Sequence, residues 1–322
     1  MLLKIGKAVV DHDRYDKAMT WLNDIYSEHG TGRESSVGLL YGEPGVGKST
    51  VLRMFAAKRA GPFETSQGSR RPVVLVEVPA NPKETHLFDA FLIALGAEHL
   101  CVGDAEDRKR AVETQLRLQH VHLAILDEFT HVIEDRSEYF TKKAVRQLKG
   151  LINGGTCQFV FAGTNKLVGL HSVYKQINRR TDGDFLLTCF GWDDEDDREE
   201  WIGVLETIED ALTIPASPAL TDEVRARNLH KATKGNINNL MKLLFRATAI
   251  AYDEGDTELT DVVFADAVEF RRRGDGKLVN PFGRSRRRVR KPTLSEMPPD
   301  AETEMTGLRK GNRQDRDSFS KR

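Results

Sequence analysis

Gly42-Glu43-Pro44-Gly45-Val46-Gly47-Lys48-Ser49 decides the fold. The stretch satisfies G-x-x-x-x-G-K-[ST] at every fixed position. An apolar run before it, Val37 to Tyr41, reads as a strand, and an amphipathic run after it, Thr50 to Ala60, reads as a helix. In that setting the backbone N–H groups of the loop and of the helix N-terminus form a cradle for phosphate oxygens. Lys48 would reach the β and γ phosphates, and the Ser49 hydroxyl would ligate Mg²⁺. The candidate nucleotide-binding set is therefore Gly42, Glu43, Pro44, Gly45, Val46, Gly47, Lys48, Ser49 and Thr50, with ATP and Mg²⁺ as the expected ligands. The competing reading is an ordinary Gly-rich turn, and the flanking strand and helix weigh against it.

Outward from the loop, five strand candidates alternate with helices: Val37–Tyr41, Val73–Val78, His122–Leu126, Gln158–Ala162 and Phe185–Cys189. They are short, rich in β-branched and aromatic residues, and lack strict alternation, as strands buried on both faces do. Strand–helix alternation predicts a three-layer parallel α/β sheet whose ligands bind beyond the C-terminal strand ends. Gly61 to Pro72 reads as a polar surface loop. Residues 1–36 read as a helical lead-in, with Tyr15, Met19, Trp21, Leu22 and Ile25 near helical spacing. After Cys189 the strands stop. Glu195–Leu212, Thr221–Thr233, Asn236–Glu254 and Asp261–Arg273 read as helices, with Thr221 or Asp222 and Asn236 as caps. The expected division is a lead-in over 1–36, a nucleotide-binding α/β domain over 37–190, a helical lid over 191–276 and a basic, disordered tail over 277–322.

Leu123-Ala124-Ile125-Leu126-Asp127-Glu128 carries the second half of an ATPase site. An apolar strand ends in two carboxylates, as in a Walker B motif. Asp127 would hold Mg²⁺, and Glu128 would orient or deprotonate the attacking water. The plainer alternative is an acidic pair opening a loop. The fourth strand ends in Phe161-Ala162-Gly163-Thr164-Asn165, where either Thr164 or Asn165 would sense the γ phosphate, unless Asn165 simply caps the next helix.

These motifs resemble the AAA+ ATPases, and within them the transposition ATPases of the TniB, TnsC and MuB type, TniB most closely. The resemblance rests on Tyr41 to Ser49, then Leu126-Asp127-Glu128, then Ala162-Gly163-Thr164, and on Asn178-Arg179-Arg180 before the fifth strand. In the lid it rests on Phe190-Gly191-Trp192, Ile214 to Leu220, and Lys234-Gly235-Asn236-Ile237. The chain departs from the family at Phe190-Gly191-Trp192, where Leu-Pro-Trp is usual, and in the basic tail. The resemblance implies a P-loop AAA+ fold with an all-helical C-terminal lid, and ATP-bound subunits that assemble as a ring or helical filament on double-stranded DNA. That assembly recruits or stimulates a transposase, with or without a target-selection adaptor, and hydrolysis clears it. It also implies that Arg179 or Arg180 acts as an arginine finger toward a neighbouring subunit, and that Lys83, Thr85, Lys109 and Arg110 contact DNA phosphates. Thr85 has a rival reading as a helix N-cap, and the others as solvated surface charges. Many such lids carry an Arg three residues after the Gly. Here Asn238 stands there, so either the second sensor is missing or another residue, Lys234 or Lys242, substitutes.

Bulk properties narrow the alternatives. The chain has 322 residues, 39% of them apolar, and a net charge of −1. No apolar run approaches the ~20 residues of a membrane span, and residues 1–7 do not read as a signal peptide. Cys101, Cys157 and Cys189 have no metal-type spacing; Cys189 ends an expected strand and Cys157 borders one, so buried free thiols in a reducing, cytoplasmic setting are expected. Between Arg271 and Lys291 ten basic residues face only Asp275, a block suited to DNA or to an acidic partner. Two other functions fit less well. A replication initiator usually appends a helix-turn-helix or winged-helix domain, and nothing past residue 273 reads as one, although a helicase loader remains open. An ATP-gated signalling switch would carry a repeat array or effector domain.

Overall fold

The computed structural model describes residues 12–32, 34–59, 61, 63–66, 68–80, 84–133, 146, 148–170, 183–272 and 280–283. Its centre is a parallel five-stranded sheet built from β1 (Val37–Tyr41), β4 (Val73–Glu77), β5 (Leu123–Asp127), β6 (Gln158–Gly163) and β7 (Asp184–Leu186). The strand order is β4-β5-β6-β1-β7. The strand that leads into the glycine-rich loop is thus separated from the acidic strand by β6. Register sets the strand ends level: Tyr41 pairs with Gly163, Leu126 with Phe161 and Glu77 with Asp127. The loop, the acidic pair and Thr164 therefore leave the sheet along one edge, the C-terminal edge where ligands of such sheets bind. Every residue of β5 and β6 is buried, which explains why neither alternates.

Helices cover both faces. On one face Val74, Val76, Ala124, Leu126, Phe159 and Phe161 pack with Leu87, Phe88, Phe91 and Leu92 of α3 (Glu84–Ala94) and with Val112 and Leu116 of α4 (Ala105–Leu118). On the other face Leu40, Leu123, Ile125 and Val160 meet Tyr15, Ala18, Leu22 and Ile25 of α1 (Asp13–Ser27), together with Val51, Leu52 and Phe55 of α2 (Lys48–Lys58). The expected helical lead-in is thus part of the three-layer core. Each fully buried Leu or Phe adds roughly 1.5–3 kcal/mol. A one-turn helix, α5 (Thr130–Ile133), follows the acidic strand.

The segment expected as a loop over Gly61 to Pro72 contains a small antiparallel hairpin, β2 (Phe63–Thr65) with β3 (Gly68–Arg70). The fifth strand is shorter than expected. It ends at Leu186, so Cys189 lies in the connection to the lid and is half-buried, unlike buried Cys157.

Four helices follow: α6 (Glu195–Glu209), α7 (Glu223–Thr233), α8 (Ile237–Glu254) and α9 (Asp261–Arg272). They enclose their own core around Trp201, Leu205, Leu229, Leu243, Leu244 and Phe264. Between Thr221 and Asp222, the cap of α7 is Asp222, whose carboxylate accepts from Arg225 N, and the cap of α8 is Asn236. Arg225 is 1% exposed; its guanidinium bonds the carbonyls of Ser217, Pro218 and Leu259 and the Asp261 carboxylate, pinning the loop between α6 and α7 to α9. Among the described residues, no helix is long and apolar enough to cross a membrane.

Candidate active site

The loop between β1 and α2 takes the shape its glycines permit. Gly45 has φ +83° and Gly47 φ +107°, backbone that L side chains rarely adopt, and Gly47 is the N-cap of α2. The helix starts at Lys48, two residues earlier than the sequence pattern suggests, so Lys48 and Ser49 sit in its first turn, where N–H groups are free of intrahelical partners. Lys48 is 8% exposed, and its Nζ donates to the carbonyls of Gly42 and Glu43, 2.9 Å each. Burial pushes the Lys48 ammonium below its ordinary pKa, while Glu128 and Asp127 pull it back up. The two motifs, far apart in sequence, thus share one electrostatic environment.

Asp127 is 5% exposed, and one of its carboxylate oxygens accepts from the Glu128 N–H at 2.9 Å. Glu128 itself sits at φ +56°, in the left-handed region. Such a conformation costs a non-glycine residue of order 1–3 kcal/mol and is concentrated at functional sites. The chain then turns back onto β6: Phe129 N donates to Ala162 O at 2.8 Å. Thr130, which the sequence reading did not single out, accepts from Thr164 N at 2.7 Å through its buried hydroxyl. That bond fixes Thr164, half-buried, beside the acidic strand. Asn165 opens a one-turn 3-10 helix and is exposed; Thr164, not Asn165, holds the position before that turn, without a side-chain cap.

The lid closes on the glycine-rich loop from the other side. The Asn236 amide donates to Pro44 O at 2.9 Å, and the Asn238 backbone N–H donates to Gly45 O at 3.1 Å. Asn238, where an Arg was expected, therefore touches the loop, whereas Lys234 is an exposed left-handed cap of α7 and Lys242 is exposed on α8. The hinge thiol Cys189, raised above the ordinary thiol pKa by burial, lies 3.6 Å from both Glu43 Oε2 and Asn236 Nδ2.

The residue types fit Mg²⁺ with a nucleotide. Ser49 and Asp127 supply one hydroxyl and one carboxylate, a sparse all-oxygen set of the kind Mg²⁺ takes when phosphates and water complete its shell. Of the other candidates, Thr85 lies in the first turn of α3, behind Glu84, and so is not its cap. On α4, Lys109 is paired with Glu106 at 3.4 Å and Glu113 at 3.8 Å, neighbouring Arg108 is spent on Asp89, and Arg110 is exposed. Lys83, Arg179 and Arg180 lie outside the described residues, as does the basic tail apart from residues 280–283.

Residues 5–188 match the family described as Bacterial TniB protein, which is more than half of the chain. The chain belongs to the TniB family. No curated protein sequence matches it. Among solved structures, ORC1 of Aeropyrum pernix in complex with DNA is 16% identical, with a TM-score of 0.63, over 84% of this chain and 69% of that one. ORC2 of Aeropyrum pernix, in ADPNP and ADP complexes, is 15% identical with a TM-score of 0.60, over 82% of this chain and 69% of that one. Cdc6p of Pyrobaculum aerophilum is 12% identical with a TM-score of 0.61, over 83% and 70% respectively. These likenesses show the fold, and this TniB-family chain has the P-loop AAA+ architecture, lid included.

Proposed function

We propose that this TniB-family chain is a transposition-associated, Mg²⁺-dependent ATPase. It assembles on double-stranded DNA, recruits or activates a transposase, and leaves the DNA when ATP is hydrolysed. The observation that carries the reading is the meeting of Lys48, Asp127 and Glu128 at one sheet edge, within the span that matches the family.

The roles follow from chemistry. The loop from Gly42 to Ser49, with Thr50 behind it, would cradle the phosphates through its N–H groups, all but Pro44 having one, and Lys48 would turn from loop carbonyls to phosphate oxygens. Ser49 and Asp127 would hold Mg²⁺, whose charge would offset that of the phosphates. Glu128 orients the attacking water, and its raised-energy backbone fixes where its carboxylate starts. Thr164, held by Thr130, or exposed Asn165 beside it, contacts the γ phosphate, and Arg179 or Arg180 reaches the site of an adjoining subunit. The working division is an ATPase unit over 37–190 and a lid over 191–276. DNA is held through its backbone by Lys83, Thr85, Lys109 and Arg110, contacts that carry no sequence information and weaken with salt.

The test is ATP turnover and assembly of the purified protein with and without random-sequence duplex DNA, wild type beside Glu128→Gln, with electron microscopy on the same samples. Rings or filaments that need ATP and DNA, persisting in Glu128→Gln without turnover, are the expected result. ATP binding that DNA neither accelerates nor converts into an assembly would refute the DNA-coating part.

A further inference from the structure

The turn between α7 and α8 is pinned on two sides. On the hinge side, Gly235 O accepts from Phe190 N at 3.0 Å, and the His230 ring nitrogen Nε2 lies 2.9 Å from Phe190 O. A Cβ at Gly235 would fall 2.0 Å from Phe190 O, so only glycine allows this approach. On the loop side, Asn236 and Asn238 hold two successive carbonyls, those of Pro44 and Gly45. Phe190 is the residue through which the chain passes from the sheet into the lid core, so this turn links the phosphate loop to the hinge.

We propose that Asn236 is a positioning residue through which the lid sets the phosphate loop in its binding shape; the proposal rests on the ATP-site reading above. In a trans peptide the carbonyl oxygen and the following N–H point in opposite directions. The peptides joining Pro44, Gly45 and Val46 are trans. Holding the Pro44 and Gly45 carbonyls toward the lid therefore turns the N–H groups of Gly45 and Val46 away from the lid side, to the face where an anion is cradled. Freed from these bonds, a loop with glycine at positive φ has other peptide orientations open to it, and each rotation removes a donor from the cradle.

The Asn236 side chain suits both of its bonds. Its Oδ1 accepts from Asn239 N at 3.1 Å, capping α8, and its Nδ2 donates to Pro44 O. The helix N–H requires an acceptor and the carbonyl a donor, so this carboxamide orientation is fixed by its partners. At 6% exposure water competes poorly for either bond. Asp, Ser or Thr would cap the helix as well, but none has an amide donor for Pro44.

The test compares full-length wild type with Asn236→Ser and Asn236→Thr, both uncharged and both able to cap α8. Equilibrium binding of a fluorescent ATP analogue and of ADP with Mg²⁺ is measured beside steady-state hydrolysis and thermal melting. Nucleotide affinity is expected to fall about tenfold, the worth of one well-formed hydrogen bond at the upper end of its range. KM should rise by the same factor, while kcat changes by less than about twofold. Asn238→Ala, which keeps the backbone N–H, should bind nucleotide as wild type does. Wild-type affinity in both Asn236 variants overturns the inference while leaving the ATP site intact. A lower kcat at unchanged KM overturns it too. If wild type itself binds no nucleotide, the ATP-site reading fails and takes the inference with it.

Discussion

Glu128 allows stability and turnover to be separated at a single position. Its φ of +56° places an L side chain where the Cβ crowds the following carbonyl, at about 1–2 kcal/mol. Glycine relieves that crowding but gives back roughly 0.5–1 kcal/mol in chain entropy. The Glu128 N–H bond to the Asp127 carboxylate is a backbone bond and survives the change. Glu128→Gly should therefore be more stable than wild type by roughly 0.5–1 kcal/mol, or about 1–3 °C in melting temperature for a chain of this size. Glu128→Gln keeps both the shape and the strain and should melt with wild type. Both should lose turnover by at least about 100-fold, the contribution of a positioned acid–base group. Melting is followed by dye fluorescence and turnover by phosphate release. If Glu128→Gly melts at or below Glu128→Gln, the backbone is not strained there, and the link between its conformation and its chemistry is lost.

Three further outcomes follow from particular contacts. Thr130→Val removes the acceptor of the Thr164 N–H and should cost about 1–3 kcal/mol as well as slowing turnover, whereas Thr130→Ser should retain both; melting and phosphate release on the pair decide it. Arg225→Met leaves the Ser217 and Pro218 carbonyls without their guanidinium donor, while Leu259 O keeps the Ser217 N–H, and should destabilise the lid by about 3 kcal/mol, seen as proteolytic cleavage of the lid at lower temperature than in wild type. His29 and His122 stack with ring centroids 4.3 Å apart, and burial holds both below the ordinary 6.5. The unfolded chain takes up protons first, so stability is unaffected above pH 6.5 and falls as pH drops below it; replacing both by Gln should flatten part of that acid limb in melting temperature.

The sheet and the two acidic-and-glycine motifs were legible because their chemistry leaves few choices: a phosphate cradle needs Gly45 and Gly47, and a buried strand needs an unbroken apolar run such as Leu123 to Leu126. The order of β6 between β1 and β5 is written in no residue pattern and comes from the structure alone. The β2–β3 hairpin is not legible in the sequence because Phe63-Glu64-Thr65 and Gly68-Ser69-Arg70 are short and carry no apolar alternation. The helix after the loop begins two residues before its apolar pattern, which opens at Thr50, because its first turn, Lys48 and Ser49, is polar. Thr130 was missed because one hydroxyl past an acidic pair is unremarkable until β6 comes alongside.

The lid shows most clearly what a sequence leaves unsaid. Read against the family's pattern, Asn238 is an absence: a cation that should follow Gly235 is missing. In the structure that residue still reaches the phosphate loop, through a backbone N–H that any residue but proline would supply, and the side chain two positions earlier makes the second bond. Asn236 and Pro44 are separated by 192 positions, so no local pattern could pair them. A guanidinium at this place would address the phosphate directly. Two amide donors address the loop's carbonyls instead, and a contact of that kind responds to whether the cradle is formed, not to which phosphate fills it. On the function proposed above, discrimination between triphosphate and diphosphate would then fall to the opposite side of the site, where Glu128 and Thr164 stand at the strand ends, and the lid would register occupancy.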